Sequence, residues 1–127
     1  MKKCDYCAKE ISYFDQYCCD DCQRKAIEFY DLQEKFTKIF SVVNGICVFA
    51  IPVGLFVLSF AFTVGFTMIA LATLILGVTI MLLPFPVENM ITSMKIKKAV
   101  KVTRIIGLAL SIIGAALVVA DIIMYLF

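Results

Sequence analysis

The chain has 127 residues, of which 62% are hydrophobic and 17% charged, with a formal net charge of +2. Of its 22 charges, 15 lie in residues 1–38 and six between Glu88 and Arg104, while the 45 residues from Ile39 to Leu83 carry none. A water-facing surface needs charges and a disordered chain needs low hydrophobicity, so this distribution excludes an ordinary soluble domain and intrinsic disorder, and assigns most of the chain to lipid.

The first 22 residues hold five of the six cysteines, namely Cys4, Cys7, Cys18, Cys19 and Cys22. The lysine and arginine distribution described below puts this end in the cytoplasm. Thiols stay reduced there, so the cluster reads as a metal site and not as disulfides. Cys4-x2-Cys7 and Cys18-x3-Cys22 form two close pairs on either side of a ten-residue loop. Cys19-x2-Cys22 is an alternative second pair. Four thiolates around one ion suit tetrahedral zinc best, although a soft site of this kind also accepts iron.

Residues 4–11 (CDYCAKEI) and 17–24 (YCCDDCQR) resemble a short treble-clef zinc ribbon. In that family a CxxCGKxI knuckle precedes an (F/Y)CSxxC knuckle that opens a helix. The resemblance covers only residues 4–25. It implies Cys4, Cys7, Cys18 and Cys22 as ligands, with Cys19 standing where the family commonly has serine. Cys19 is thus a spare thiol or an alternative ligand. Ala8 replaces the family's glycine, and a slightly tighter first knuckle is the expected result. The family implies a structural or interaction module and fixes no activity.

Local signals suggest a small hairpin joining residues 9–11 to 16–18 around 12–15. Asp20, with Gln23 three residues on, resembles a capping box and starts a helix. Asp21/Lys25, Asp31/Lys35 and Glu34/Lys38 are acid-before-base pairs at i, i+4. Phe29, Leu32, Phe36, Ile39 and Phe40 form an apolar stripe. No breaker intervenes, so one continuous helix is expected to run from the metal end into the first membrane span.

Spanning helices need about 20 apolar residues each. Spans are predicted at about 39–58, 66–83 and 105–125, with an interfacial turn at 59–65. Pro52 is read as a kink and Pro84-Phe85-Pro86 as the end of the second span. Residues 1–38 carry seven basic side chains and the 84–104 link five, whereas the turn and the C-terminus carry none. The positive-inside rule then places the N-terminus and the link in the cytoplasm and the C-terminus outside. The expected location is a cell membrane, taken as the bacterial plasma membrane. No apolar run precedes residue 39, so the first span is expected to act as an uncleaved insertion signal. The chain thus divides into a metal module with its connecting helix (1–38) and a three-span bundle (39–127), a mainly α membrane protein.

In the link, Lys95, Lys97, Lys98, Lys101 and Arg104 face only Glu88 in charge. Such a cluster attracts anionic lipid headgroups and sets topology. It also has the opposite sign to residues 1–38, and docking of Lys97, Lys98 and Lys101 on the acidic helix is a further expectation. Val87, Met90, Ile91 and Met94 suggest a short interfacial stripe. In the third span Gly107, Ser111, Gly114, Val118, Asp121 and Tyr125 share a face that permits close helix packing, within one bundle or between copies. Asp121, some 25 Å beyond Arg104 along a helix, falls near the far interface. Cys47 reads as a small buried packer.

The function classes narrow accordingly. Residues 1–38 are net acidic and four thiolates on zinc add negative charge, which opposes nucleic-acid binding. The chain has no histidine and no phosphate-loop or dinucleotide glycine pattern, which opposes enzyme chemistry. The leading expectation is a non-enzymatic membrane protein whose zinc module mediates assembly, self-association or partner contact. A subunit of a small oligomeric transporter or channel is the alternative, and a metal or redox sensor using Cys19 is the third reading.

Overall fold

The computed structural model describes residues 2–86 and 88–127. Val87, assigned above to an interfacial stripe, lies outside them. Two short strands, β1 (Lys2–Lys3) and β2 (Glu10–Ile11), precede three long helices, α1 (Asp20–Leu58), α2 (Phe62–Leu82) and α3 (Glu88–Leu126). All three helices are long and apolar enough to cross a membrane. Their large side chains face outward, with Phe49 73%, Phe56 68% and Ile112 63% exposed. An apolar exterior of this kind on helices of this length suits a lipid environment.

β1 and β2 pair antiparallel, with Lys2 opposite Ile11 and Lys3 opposite Glu10. The hairpin therefore flanks the first cysteine pair, whereas the sequence pointed to residues 9–11 and 16–18. The physical reason is the turn inside it. The Cys4 carbonyl accepts from the Ala8 N–H at 3.0 Å and the Cys4 N–H donates to the Lys9 carbonyl at 2.8 Å. This reverses the chain within residues 4–9 and brings the flanking residues together.

α1 begins one residue earlier than the capping-box reading. Cys19 is its N-cap, in extended backbone without a side-chain cap bond, and Asp20 and Asp21 occupy the first turn, where their charge suits the helix dipole. Among the three proposed i, i+4 pairs only Asp21–Lys25 closes, at 3.0 Å, and Asp21 also meets Arg24 at 2.8 Å. The helix runs unbroken through Pro52 to Leu58, about 58 Å at 1.5 Å per residue.

The turn between α1 and α2 is shorter than predicted. α2 starts at Phe62, so only residues 59–61 turn. The Phe60 and Ala61 N–H groups both donate to the Val57 carbonyl, at 3.0 and 2.8 Å. Gly65, read as part of the turn, is instead a packing residue of α2. A Cβ on it would stand 2.5 Å from the Leu58 nitrogen and 2.7 Å from the Gly54 carbonyl oxygen. α2 lies between its neighbours and packs on both. It ends at Leu82, before Pro84-Phe85-Pro86. Phe85 then packs edge-on against Phe29 and Phe40 of α1, with ring centroids 6.4 and 5.2 Å apart. Those two residues of the proposed stripe are half-buried, whereas Leu32 and Ile39 are exposed.

The 84–104 link is largely helical, because α3 begins at Glu88. It is interrupted once, at Lys95, which has φ 64° and ψ 164°. A non-glycine residue in that region costs of order 1–3 kcal/mol and persists only where its surroundings hold it.

Candidate metal centre and its seat on the third helix

The Sγ atoms of Cys4, Cys7, Cys18 and Cys22 all lie within 4.8 Å of one another. Tetrahedral coordination with bonds of ~2.3 Å sets sulfurs about 3.8 Å apart, so four thiolates in this arrangement can share one metal ion. Cys18 sits 3.4 Å from Cys7 and 3.3 Å from Cys22. The sulfur of Cys19 lies 3.7 Å from that of Cys18, on an exposed residue outside the mutually close set. Cys47 is buried far along α1, among apolar neighbours.

Local structure explains the convergence. The first knuckle is closed by the Cys4–Ala8 and Cys4–Lys9 backbone bonds described above. It forces Ala8 to φ 65°, the left-handed region in which an L-residue is strained and glycine is not. The effect of alanine there is backbone strain and not the tighter knuckle expected from the sequence. The Asp5 N–H donates to the Gln16 carbonyl at 3.2 Å, drawing in the second segment. The Cys18 N–H donates to the Cys4 sulfur at 3.3 Å. Cys22, one turn into α1, completes the set.

The thiols differ in acidity. Burial opposes ionisation of Cys4, but hydrogen bonds from the Cys7, Tyr6 and Cys18 backbone and from the Cys7 thiol outweigh it and pull Cys4 down to about 6. Hydrogen bonds to the Cys22 and Cys7 thiols, together with burial, push Cys18 well above its ordinary value. Cys22 is favoured as a thiolate by Cys18, but burial and the Cys19 and Cys7 thiols raise it to about 11. A metal ion entering this site displaces the protons of the last two.

The module is seated on α3 by backbone as well as side chain. The Ile96 N–H donates to the Asp5 carbonyl at 3.2 Å and the Lys97 N–H to the Tyr6 carbonyl at 2.9 Å. The Lys95 Nζ donates to the Asp5 carboxylate at 3.1 Å. Two first-turn N–H groups of the resumed helix, which would otherwise lack intrahelical partners, are thus satisfied by knuckle carbonyls. Cys4 of the knuckle, Ala26 of α1, and Ile96 and Ala99 of α3 are each 0–1% exposed. The module and the basic segment do meet, but through Lys95 and main-chain atoms. The expected pairing of Lys97, Lys98 and Lys101 with the acidic helix is absent among the described residues. Main-chain carbonyls and a strained lysine leave no signature in residue type, which is why the sequence reading missed them.

The remaining singled-out residues fall in two places. Lys97, Lys101 and Arg104 line a cavity of about 380 Å³ beside Tyr6, and Lys98, exposed as they are, is not among its lining residues. Gly107, Gly114 and Ser111 meet α2. A Cβ at Gly107 would stand 2.6 Å from the Met81 nitrogen and one at Gly114 2.5 Å from the Leu74 Cα, and Ser111 backbone faces Gly77. Asp121 accepts a 2.8 Å hydrogen bond from Thr67 of α2, and both border an apolar cavity of about 500 Å³ at the far end of the bundle. No protein-family profile matches the chain, and comparison with curated proteins and with solved structures likewise gives no match.

Proposed function

We propose that this is a non-enzymatic integral membrane protein in which Cys4, Cys7, Cys18 and Cys22 hold a structural zinc ion, and that the loaded module serves assembly of the chain and contact with a protein partner. In this reading the metal end and the basic segment lie in the cytoplasm and the C-terminus lies outside. The carrying observation is the seat itself: the knuckle carbonyls of Asp5 and Tyr6 cap α3 where it resumes after Lys95. A module so attached ties the N-terminal end of the chain to its third helix. Four sulfurs close the coordination sphere, which suits a structural ion and leaves no open position for catalysis. When bound, zinc supplies the folding energy that a segment of this size lacks.

For partner contact, the support is the loop between the cysteine pairs. Tyr13 and Phe14 within it are 73% and 98% exposed, large apolar side chains open to contact. A photo-crosslinking residue in place of Phe14, in the full chain in native membranes, is expected to capture one protein species, either another protein or a second copy. Capture of lipid alone removes the contact part of the reading. The transporter alternative lacks comparable support, since Thr67 and Asp121 bond to each other within the chain.

A further inference from the structure

Past the Lys95 break, Lys97, Lys101 and Arg104 recur at intervals of four and three, so they share one face of α3. They line the cavity of about 380 Å³, together with Tyr6 of the knuckle and Lys25 and Phe29 of α1. Ile96 and Val100 add apolar wall on the α3 side. The cations are unequal. Lys25 is occupied by Asp21 at 3.0 Å. Among the described residues, no carboxylate lies within ion-pair distance of Lys97, Lys101 or Arg104. Three uncompensated charges therefore converge on a space large enough for a phosphate group. Arg104 is also the last charge before the uncharged run 105–120, so the cavity stands where α3 turns from polar to apolar.

We propose that this cavity binds the phosphate of an anionic phospholipid, held by Lys97, Lys101 and Arg104, with the Tyr6 hydroxyl as an additional donor and the acyl chains passing Arg104 along α3. An ordinary juxtamembrane cluster attracts anionic lipid diffusely. A walled cavity retains individual molecules and discriminates among cations by position. One wall belongs to the cysteine module, so the site is complete only while the knuckle is folded. That last clause rests on the zinc reading, whereas the cation geometry does not.

The test uses the full-length chain in detergent micelles, with lipid retention read by native mass spectrometry. Short-chain phosphatidylglycerol, phosphatidylcholine and inorganic phosphate are the probes. Phosphatidylglycerol is expected to be retained about tenfold over phosphatidylcholine, with Lys101→Gln and Arg104→Gln each reducing that retention roughly fivefold and Lys98→Gln changing it less than about twofold. Lys98→Gln carries the same charge change on the same helix, outside the cavity, and matched melting curves confirm folding of all three variants. An equal loss in Lys98→Gln, or no preference for phosphatidylglycerol, overturns the site. Displacement of the lipid by millimolar inorganic phosphate overturns the lipid assignment in favour of a free anion. Preference that survives chelation of a metal-loaded sample overturns the composite wall. If the purified protein holds no metal and the Lys101 and Arg104 variants still act, the zinc reading fails and the lipid site stands. If zinc is bound and those variants are silent, the reverse holds.

Discussion

Gly77 of α2 lies directly against the α3 backbone, and an added methyl group there has a calculable consequence. In Gly77→Ala the new Cβ would stand 2.4 Å from the Ser111 nitrogen and 2.7 Å from the Leu110 carbonyl carbon, both backbone atoms that cannot rotate away. Ordinary contact starts at 3.4 Å, so α2 and α3 must part by 3.4 − 2.4, or 1.0 Å, at that point. A gap of ~1 Å forfeits up to about half of each dispersion contact. In lipid no hydrophobic term compensates, because the tails are as apolar as the side chains. Overpacking of this kind costs ~1–3 kcal/mol, partly offset by the ~1 kcal/mol by which alanine exceeds glycine as a helix former. The net expectation is a destabilisation of up to about 2 kcal/mol. Gly45 supplies the control, since a Cβ there meets nothing within 4 Å. Gly45→Ala is expected to be neutral or stabilised by up to about 1 kcal/mol. Unfolding in mixed detergent and sodium dodecyl sulfate micelles, followed by far-ultraviolet circular dichroism, measures both. If the two variants shift in the same direction, the packing of α2 against α3 described here is wrong.

Three other outcomes concern the cysteine module. Ala8→Gly removes a left-handed alanine that costs roughly 1–2 kcal/mol, so it is expected to retain zinc better against a competing chelator; poorer retention would count against the strained knuckle. Cys18→Ser is expected to abolish stoichiometric zinc, because its sulfur lies within 3.4 Å of both Cys7 and Cys22, while Cys19→Ser leaves metal content unchanged even after mild oxidant. Loss of metal in Cys19→Ser alone would reverse the ligand assignment and reopen the sensing alternative. Because Cys18 and Cys22 are held above their ordinary values, zinc uptake near neutral pH is expected to release their protons, and affinity to fall as pH falls. A titration with a pH indicator that detects no proton release would contradict this.

Much of the fold was legible because lipid imposes few solutions. The uncharged run after Ile39 required two spans, and Pro84 and Pro86 fixed where the second stops. The continuous passage of α1 from Asp20 into the bundle followed from the lack of any breaker. What escaped was set by tertiary contact. Gly65 looked like turn chemistry and is instead the place where two backbones touch. Glu88–Arg104 looked like a polar link and is mostly helix, with Lys97, Lys98 and Lys101 exposed while Ile96, Ala99 and Thr103 are buried. The cysteine cluster itself was visible in its spacing. Its seat was not, since Asp5 and Tyr6 act there through carbonyl oxygens. Ala8, where the resembled family has glycine, suggested a tighter knuckle and is instead a point of backbone strain.

The central claim is that four thiolates hold one closed zinc site fixed to the third helix. X-ray absorption at the zinc edge, with metal stoichiometry on the same purified full-length protein, tests it most directly. One zinc per chain is expected, surrounded by four sulfur scatterers at about 2.3 Å and no nitrogen or oxygen. Absence of zinc, or a shell with fewer sulfurs and a water ligand, would contradict it.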